Sequence, residues 1–468
     1  MNNEFDCFRD AVKTIFADCE DFVCRECGNS GGRFALMFVK GITSRDFISE
    51  RLLRPLQLAD IKGFNGDFQK LIESPNLSSP ENADSAARSA SIGEVVIIVE
   101  SANGFFVTLA NAQYTHGRSI DEPNSDITVC GPKAGFVEDA ETNMALIRKY
   151  IRTPDLKFVR FAVGSVSQTK VLICYVSGRA DGEAVANIKQ KISTLSATAI
   201  TDSANIAMLL DGSKNKYLPT CGSTEKVDKC ASKLMAGRIA IIVDGSPFVL
   251  TIPFVFAESL QSADDYLHTP YYATFIRALR LIAFISAIFA PAVLCALISY
   301  DYAQMPPELY GIIVDSRKDI PLSFFWEITA ILLIFEILRE VGVRMPRTVG
   351  DAVGIVGSII LGNTAVEAGI VSSVGVITVA FSAVCAFITP AYMYVIVIAR
   401  IASLLLAELF GVYGLGLSAT ALTLLLCGKN SFGTPYLFPL SPFSAKGMQD
   451  FIFAWPKKTL GRRELDGK

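Results

Sequence analysis

Histidine is nearly absent from this chain: two in 468 residues, His116 and His268. No Ser/His/Asp, Cys/His or metal-hydrolase grouping forms around them, so an enzyme is disfavoured. Neither a Walker loop nor a Gly-x-Gly-x-x-Gly after a strand is present, which removes the usual phosphate cradles, and no cofactor is expected. The net charge is only −3 and no large basic patch occurs, so nucleic acid is excluded as a partner. Residues 1–16 carry acids and no apolar stretch of signal-peptide type. The region ahead of the first membrane helix is therefore expected in the cytosol. The second half lacks charge instead. Before about Tyr271 a charged residue comes every few positions; beyond it lie long charge-free runs.

Eleven cysteines, odd in number and scattered, do not make a secreted disulfide framework. Four of them cluster near the start of the chain: Cys7, Cys19, Cys24 and Cys27, ending in Cys24-Arg-Glu-Cys27-Gly28. Two thiolates on one tight turn suit a tetrahedral metal, which makes Cys19, Cys24 and Cys27 a weak candidate set. Reduced cytosolic thiols are the favoured reading, and no metal site is assigned. Cys295, Cys385 and Cys427 sit in apolar runs and read as small core residues.

The expected architecture is an α+β soluble region of two subdomains, followed by an α-helical, multi-pass transmembrane domain. A variable segment at 1–32 precedes subdomains at 33–130 and 131–265. The transmembrane domain covers 270–456, and a basic tail closes the chain at 457–468. In the first subdomain, Arg33-Phe-Ala-Leu-Met-Phe-Val39 has strand length, and Ser44 caps a helix that Pro55 should stop near Arg54. The Ser-, Asn-, Ala- and Pro-rich stretch 73–91 reads as a flexible linker. Residues 94–99 and 104–109 flank Asn103-Gly104 as a β-hairpin. In the second, helices at 139–152, 182–194 and 224–235 accompany strands at 158–163 and 170–176. A hairpin through Asp244-Gly245 completes an α+β layer on a mixed sheet.

Residues 281–298 are charge-free, and 18 helical residues reach roughly 27 Å, close to a bilayer core. Arg277 and Arg280 mark the start of this helix, Tyr300 and Tyr302 its far end, and Pro291 is expected to kink it. Residues 301–319 are polar and read as a loop. A helix from Phe324 carries Glu327 and Glu336, nine positions apart and so on opposite faces. Residues 349–362 are short, apolar and Gly-rich, which suits close helix contact or a re-entrant element. Residues 368–399 carry no charge and exceed a bilayer core, so the run must tilt, kink at Pro390 or extend past one surface. Arg277/Arg280, Arg339/Arg344/Arg347, Arg400 and the tail are assigned to the cytoplasmic side. Both ends then lie in the cytosol, and of five apolar segments at least one is interfacial or re-entrant, or one is double, with 322–340 and 349–362 as the candidates.

Several motifs are long and specific. They include Arg238-Ile-Ala-Ile-Ile-Val-Asp-Gly-Ser-Pro-Phe248, Gln261-Ser-Ala-Asp-Asp-Tyr266 and Ser431-Phe-Gly-Thr-Pro-Tyr436. The strongest is Phe335-Glu-Ile-Leu-Arg-Glu-Val-Gly-Val-Arg-Met-Pro346, with Phe335, Glu336, Arg339, Glu340, Gly342, Arg344 and Pro346 as its signature positions. With these residues the chain resembles the GerA family of spore germination proteins. The family comprises the A subunits of bacterial germinant receptors and their stage V sporulation paralogues. The resemblance implies a multi-pass subunit of the spore inner membrane with a cytosolic N-terminal domain. It further implies homo-oligomeric rings that conduct cations, and partnership with a permease-like B subunit and a lipoprotein C subunit.

Within that frame Glu367, Asn363, Glu336, Glu327, Gly357 and Gly354 are the candidate pore, gate or subunit-contact residues, because ionisable groups at membrane depth are costly and face a cavity or partner. Gly350, Gly354 and Gly357 more simply permit helix packing. Gln261 to Tyr266 reads as a structural coupler between the soluble region and the first span. The alternatives are a non-conducting scaffold or sensor, a sporulation paralogue that amplifies ion release and, more weakly, a secondary transporter.

Overall fold

The computed structural model describes residues 4–29, 32–59, 61–72, 74, 76–113, 131–211, 217–266, 268–300, 302–345, 357, 360–448 and 450–453. The first sheet contains β1 (Phe22–Asn29), β2 (Gly32–Val39), β3 (Leu77–Ser78), β4 (Glu94–Ser101) and β5 (Gly104–Asn111), in the order β1-β2-β4-β5-β3. All its pairings are antiparallel. The run in β2 is apolar throughout because both faces of the sheet are covered. Phe34 and Leu36 pack with Leu52, Leu56 and Phe68 on one side, while Ala35, Met37 and Val39 pack with Phe5, Val12 and Ala87 on the other. The expected hairpin forms, with Ser101 opposite Gly104.

The N-terminal segment is part of this sheet rather than a separate unit. The helix Glu4–Ile15 covers one face, and the Cys-x-x-Cys stretch is edge strand, not turn. Strand side chains alternate between faces, so positions three apart diverge. Cys24 accordingly packs with one core and Cys27 with the other. Among the described residues no group of three or more His, Cys, Asp or Glu could hold a metal ion.

Two more expectations are corrected here. Ser44 does cap a helix, accepting from the Phe47 amide at 3.3 Å, but the helix does not stop at Pro55. A π-helical stretch, Phe47–Leu53, runs on into the α-helix Arg54–Leu58, and Pro55 sits in its first turn, where a missing N–H costs little. The presumed linker holds β3 and the helix Ala83–Ile92. Asn82 and Ser85 form a reciprocal capping box, Gly93 ends the helix at φ +107°, and Ala86, Ala87 and Ala90 are fully buried. Small side chains there serve close packing on the sheet, not flexibility.

The second sheet comprises β6 (Leu156–Val163), β7 (Thr169–Val176), β8 (Gly222–Thr224), β9 (Ile239–Val243) and β10 (Val249–Ile252), ordered β6-β7-β9-β10-β8. This order repeats that of the first sheet. The sheet is antiparallel rather than mixed. Helices Ala140–Tyr150 and Val227–Met235 cover one face, and Gly182–Ser193 and Ser203–Asp211 the other. The two sheets meet at a buried ion pair. Asp21, just before β1, receives Arg148 Nε at 3.0 Å and Nη2 at 2.8 Å, with both side chains at most 1% exposed.

In the helical half, Pro270–Ser299 runs unbroken through Pro291. Residues 301–319 are not all loop: Pro307–Ser316 is a short helix. Phe324–Arg344 follows as one helix. The long uncharged run does not merely kink at Pro390 but breaks there, into Ser373–Phe387 and, after a 3-10 turn, Met393–Phe410. A second break falls at Gly411, whose φ of +59° suits a residue without Cβ, and Val412–Cys427 follows. Among the described residues two helices, Pro270–Ser299 and Pro390–Phe410, are long and apolar enough to cross a membrane. Ser373–Phe387 and Val412–Cys427 are apolar but shorter. The two long helices are compatible with membrane association and do not by themselves establish the expected multi-pass domain. Residues 349–356, 358–359 and the basic tail lie outside the described residues.

Candidate functional site

The site begins with a proline. Pro291 has no N–H, so the Ala287 carbonyl one turn earlier loses its intrahelical donor. A carbonyl left unpaired inside an apolar bundle is costly, and two side chains from other helices answer it. Ser382 Oγ donates to it at 2.8 Å, and Arg400 Nε at 2.8 Å. Arg400 Nη2 also reaches the Ser382 carbonyl at 3.3 Å, and Ser403 Oγ donates to the Ile288 carbonyl at 3.1 Å. Arg400 is therefore not the cytoplasmic end of a span. It lies in mid-helix, 2% exposed, tying three helices together. Among the described residues Glu336 brings a carboxylate to it: Oε1 lies 4.0 Å from Arg400 Nη1 while Oε2 pairs with Arg339 at 2.5 Å.

The opposite face of the same helix carries Glu327, which is fully buried. Its Oε1 accepts from the Ser372 amide at 2.8 Å and from Ser372 Oγ at 2.5 Å, and Arg317 Nε lies 3.3 Å from Oε2. Ser372 is the N-cap of Ser373–Phe387, so the carboxylate also sits at the positive end of a helix dipole.

A third polar cluster joins the two halves. Asp265 holds Arg280 at 2.7 Å and Arg277 at 3.2 Å, and Arg277 also reaches Asp450 at 2.9 Å. Burial works against the Asp265 carboxylate, but the bonds from Arg280, the Ser262 amide and Arg277 outweigh it and hold its pKa below the ordinary value. The coupler reading of residues 261–266 is thus given atoms. Beside it, Glu258 bridges Lys233 at 2.8 Å and Arg238 at 2.7 Å. Tyr392, at the Pro390 break, shares a buried hydroxyl contact of 2.8 Å with Tyr436. The chain beyond Cys427 also returns to the soluble half. Lys429 pairs with Asp211 at 3.0 Å, Ser431 Oγ donates to the Thr220 carbonyl at 2.9 Å, and the Phe256 amide donates to the Tyr436 carbonyl at 2.9 Å.

The family model described as Bacillus/Clostridium GerA spore germination protein matches residues 10–465. The chain belongs to the GerA family. It is 34% identical over 428 residues to spore germination protein KA of Bacillus subtilis (strain 168), covering 90% of this chain and 78% of that protein. It is 32% identical over 452 residues to the uncharacterized membrane protein YfkQ of the same organism, covering 95% and 88%. The crystal structure of the N-terminal domain of the A subunit of the Bacillus megaterium spore germinant receptor GerK3 aligns at 25% identity, with a TM-score of 0.39, over 53% of this chain and 94% of that one.

In this GerA chain the candidate residues do not form one site. Glu327 joins Ser372 and Arg317, and Glu336 joins Arg339 and Arg400. Asn363 and Glu367 are exposed. Gly357 is buried against Leu338, whose side chain would lie 2.8 Å from an added Cβ. Gly354 and Pro346 lie outside the described residues. Of the GerA signature, Glu340 and Arg344 pair at i,i+4 at 2.6 Å, and Phe335 meets the Phe387 ring edge-on. Sequence reasoning missed Arg317, Ser372, Ser382, Tyr436 and the interior role of Arg400. One signal was available: a proline in mid-helix requires a foreign donor for the carbonyl four residues earlier, and an arginine between apolar runs is a candidate for it.

Proposed function

We propose that this GerA family member is the A subunit of a nutrient germinant receptor in the spore inner membrane. In this reading several copies surround a gated cation path and act with permease-like B and lipoprotein C subunits. The chain binds and relays; it does no covalent chemistry. One observation carries the reading: Asn363 and Glu367 are exposed in the helical half, with Ile370, three positions beyond Glu367, at 57% exposure. Lipid is a poor neighbour for a carboxylate and a carboxamide, whereas a water-filled path shared between copies is a good one. Supporting it, the soluble half is bonded to the start of the first span through Asp265, which gives a signal from the soluble sheets a mechanical route.

The test uses spores carrying Glu367→Ala or Gly357→Leu in the full chain. Both variants are expected to alter the rate of cation release after nutrient addition while the chain stays in the membrane at its usual level. Unchanged release in both refutes the path. Reconstituted full-length protein with its partners that never conducts supports a non-conducting scaffold instead.

A further inference from the structure

Beyond the last apolar helix the chain is aromatic and uncharged. Residues 430–445 contain no Asp, Glu, Lys or Arg, and neither do residues 266–276, which lead into the first long helix. Two contacts set the level of the C-terminal segment. Arg277, near the start of Pro270–Ser299, holds the Asp450 carboxylate at 2.9 Å and the Phe451 carbonyl at 3.4 Å. The Tyr436 hydroxyl meets that of Tyr392, at the start of Pro390–Phe410. Residues 436–453 therefore lie at the shared end of the two helices that are long and apolar enough to cross a membrane. Tyr436 and Phe451 turn inward and are buried, whereas Leu440, Phe443 and Phe453 are 46%, 74% and 57% exposed.

The 30 helical residues of Pro270–Ser299 are about 45 Å long, the thickness of a bilayer with its headgroups. The first turns of this helix then fall in the headgroup layer, and there Tyr271, Tyr272 and Phe275 are exposed. We propose that Leu440, Phe443 and Phe453, with Tyr271, Tyr272 and Phe275, form an interfacial anchor seated in the headgroup layer of the leaflet beside the soluble half. The anchor rests on the membrane reading above and adds a second attachment to it. Water is a poor neighbour for these apolar side chains, and the headgroup layer favours aromatic rings. The turn backbone at 436–443 keeps the anchor out of the hydrocarbon core, where its polar groups would go unpaired. The same stretch of chain also holds the soluble half, through Lys429 to Asp211, Ser431 to Thr220 and the Tyr436 carbonyl to the Phe256 amide. Anchoring it fixes the soluble sheets against the lipid surface, so that they do not hang from the first helix alone.

Tryptophan fluorescence tests the anchor, because the chain has only two tryptophans, Trp326 and Trp455. Phe443→Trp is combined with Trp326→Phe and Trp455→Phe in the full chain, which leaves one indole, and the protein is reconstituted in phosphatidylcholine vesicles. Lipids brominated near the ester end of the acyl chain are expected to lower its emission about twofold. Lipids brominated near the methyl end should quench it less, and iodide in the water phase should quench it little. Quenching by iodide but by neither lipid puts the ring in water and overturns the anchor. No quenching by any of the three puts the ring under protein, a second copy included, and overturns it as well. Stronger quenching from the methyl end puts the ring in hydrocarbon and also overturns it. Ile285→Trp in the same background separates this result from the membrane reading, since Ile285 is 49% exposed on the charge-free run. Lipid that quenches the Ile285→Trp chain but not the Phe443→Trp chain removes the anchor and leaves the span. Lipid that quenches neither removes both.

Discussion

Asp21→Asn is the sharpest test of how the two sheets are held together. Asp21 and Arg148 are 1% and 0% exposed at the side chain, and three contacts of 2.8–3.1 Å join them. Arg148 keeps two further bonds, to the Thr153 carbonyl at 2.8 Å and the Leu156 carbonyl at 3.1 Å. Removing one partner of a buried pair costs about 3–5 kcal/mol, because the other charge is left uncompensated away from water. Asparagine still offers one carbonyl oxygen, which places the change at the lower end, about 3 kcal/mol. The assay is hydrogen exchange at the backbone amide that crosses this joint, Glu20 to the Phe158 carbonyl. A loss of about 3 kcal/mol speeds exchange there roughly 100-fold. Pairing Asp21→Asn with Arg148→Met removes both charges and should cost less than the sum of the single changes. Exchange at Glu20 that stays within about threefold of native in Asp21→Asn would refute the assignment of this pair as the inter-sheet bond.

Two further expectations follow from the same geometry. A Cβ at Gly414 would lie 1.9 Å from the Leu406 carbonyl oxygen across the Gly411 reversal, whereas one at Gly416 would meet nothing within 4 Å. Gly414→Ala should thus lower the melting temperature in detergent, by the equivalent of about 1–3 kcal/mol, and Gly416→Ala should not; equal melting temperatures contradict the tight turn. Burial alone would raise the Glu258 carboxyl, but Arg238 and Lys233 outweigh it and hold its pKa below the ordinary 4.5. A depressed folded pKa means that the stabilisation is complete above 4.5 and is lost as pH falls through the folded value. The stability gap between native protein and Glu258→Gln is therefore expected at pH 7 and should close in acid; a gap unchanged below about pH 4 contradicts the ion triad.

The route from soluble sheets to apolar helices is short and polar. Asp265, Glu258 and the Tyr392–Tyr436 pair lie where the segment after β10, the first long helix, the Pro390 break and the returning C-terminal segment meet. Each bond crosses between separate segments of the chain, so a strain entering at one is shared by the others.

Much of the chain was legible without coordinates. Asn103-Gly104 between β-rich runs declares a hairpin; the turn is Ala102-Asn103, and Gly104, paired with Ser101, takes a φ of +136° that few other residues adopt. The strands read at 158–163 and 170–176, the helix read at 182–194, the interruption at Pro390 and the GerA signature follow from local chemistry of the same kind. Tertiary structure alone decided the rest. Cys24 and Cys27 become edge strand because β2 offers them a partner, and the Ala- and Ser-rich stretch becomes helix because a sheet face lies within reach of its small side chains. Arg400 looks from the sequence like the charged end of a span; it is interior because Pro291, 109 positions earlier, leaves a carbonyl that needs it. Local propensity is written in neighbouring residues, but the demand of a buried polar group is met by whatever the fold brings beside it.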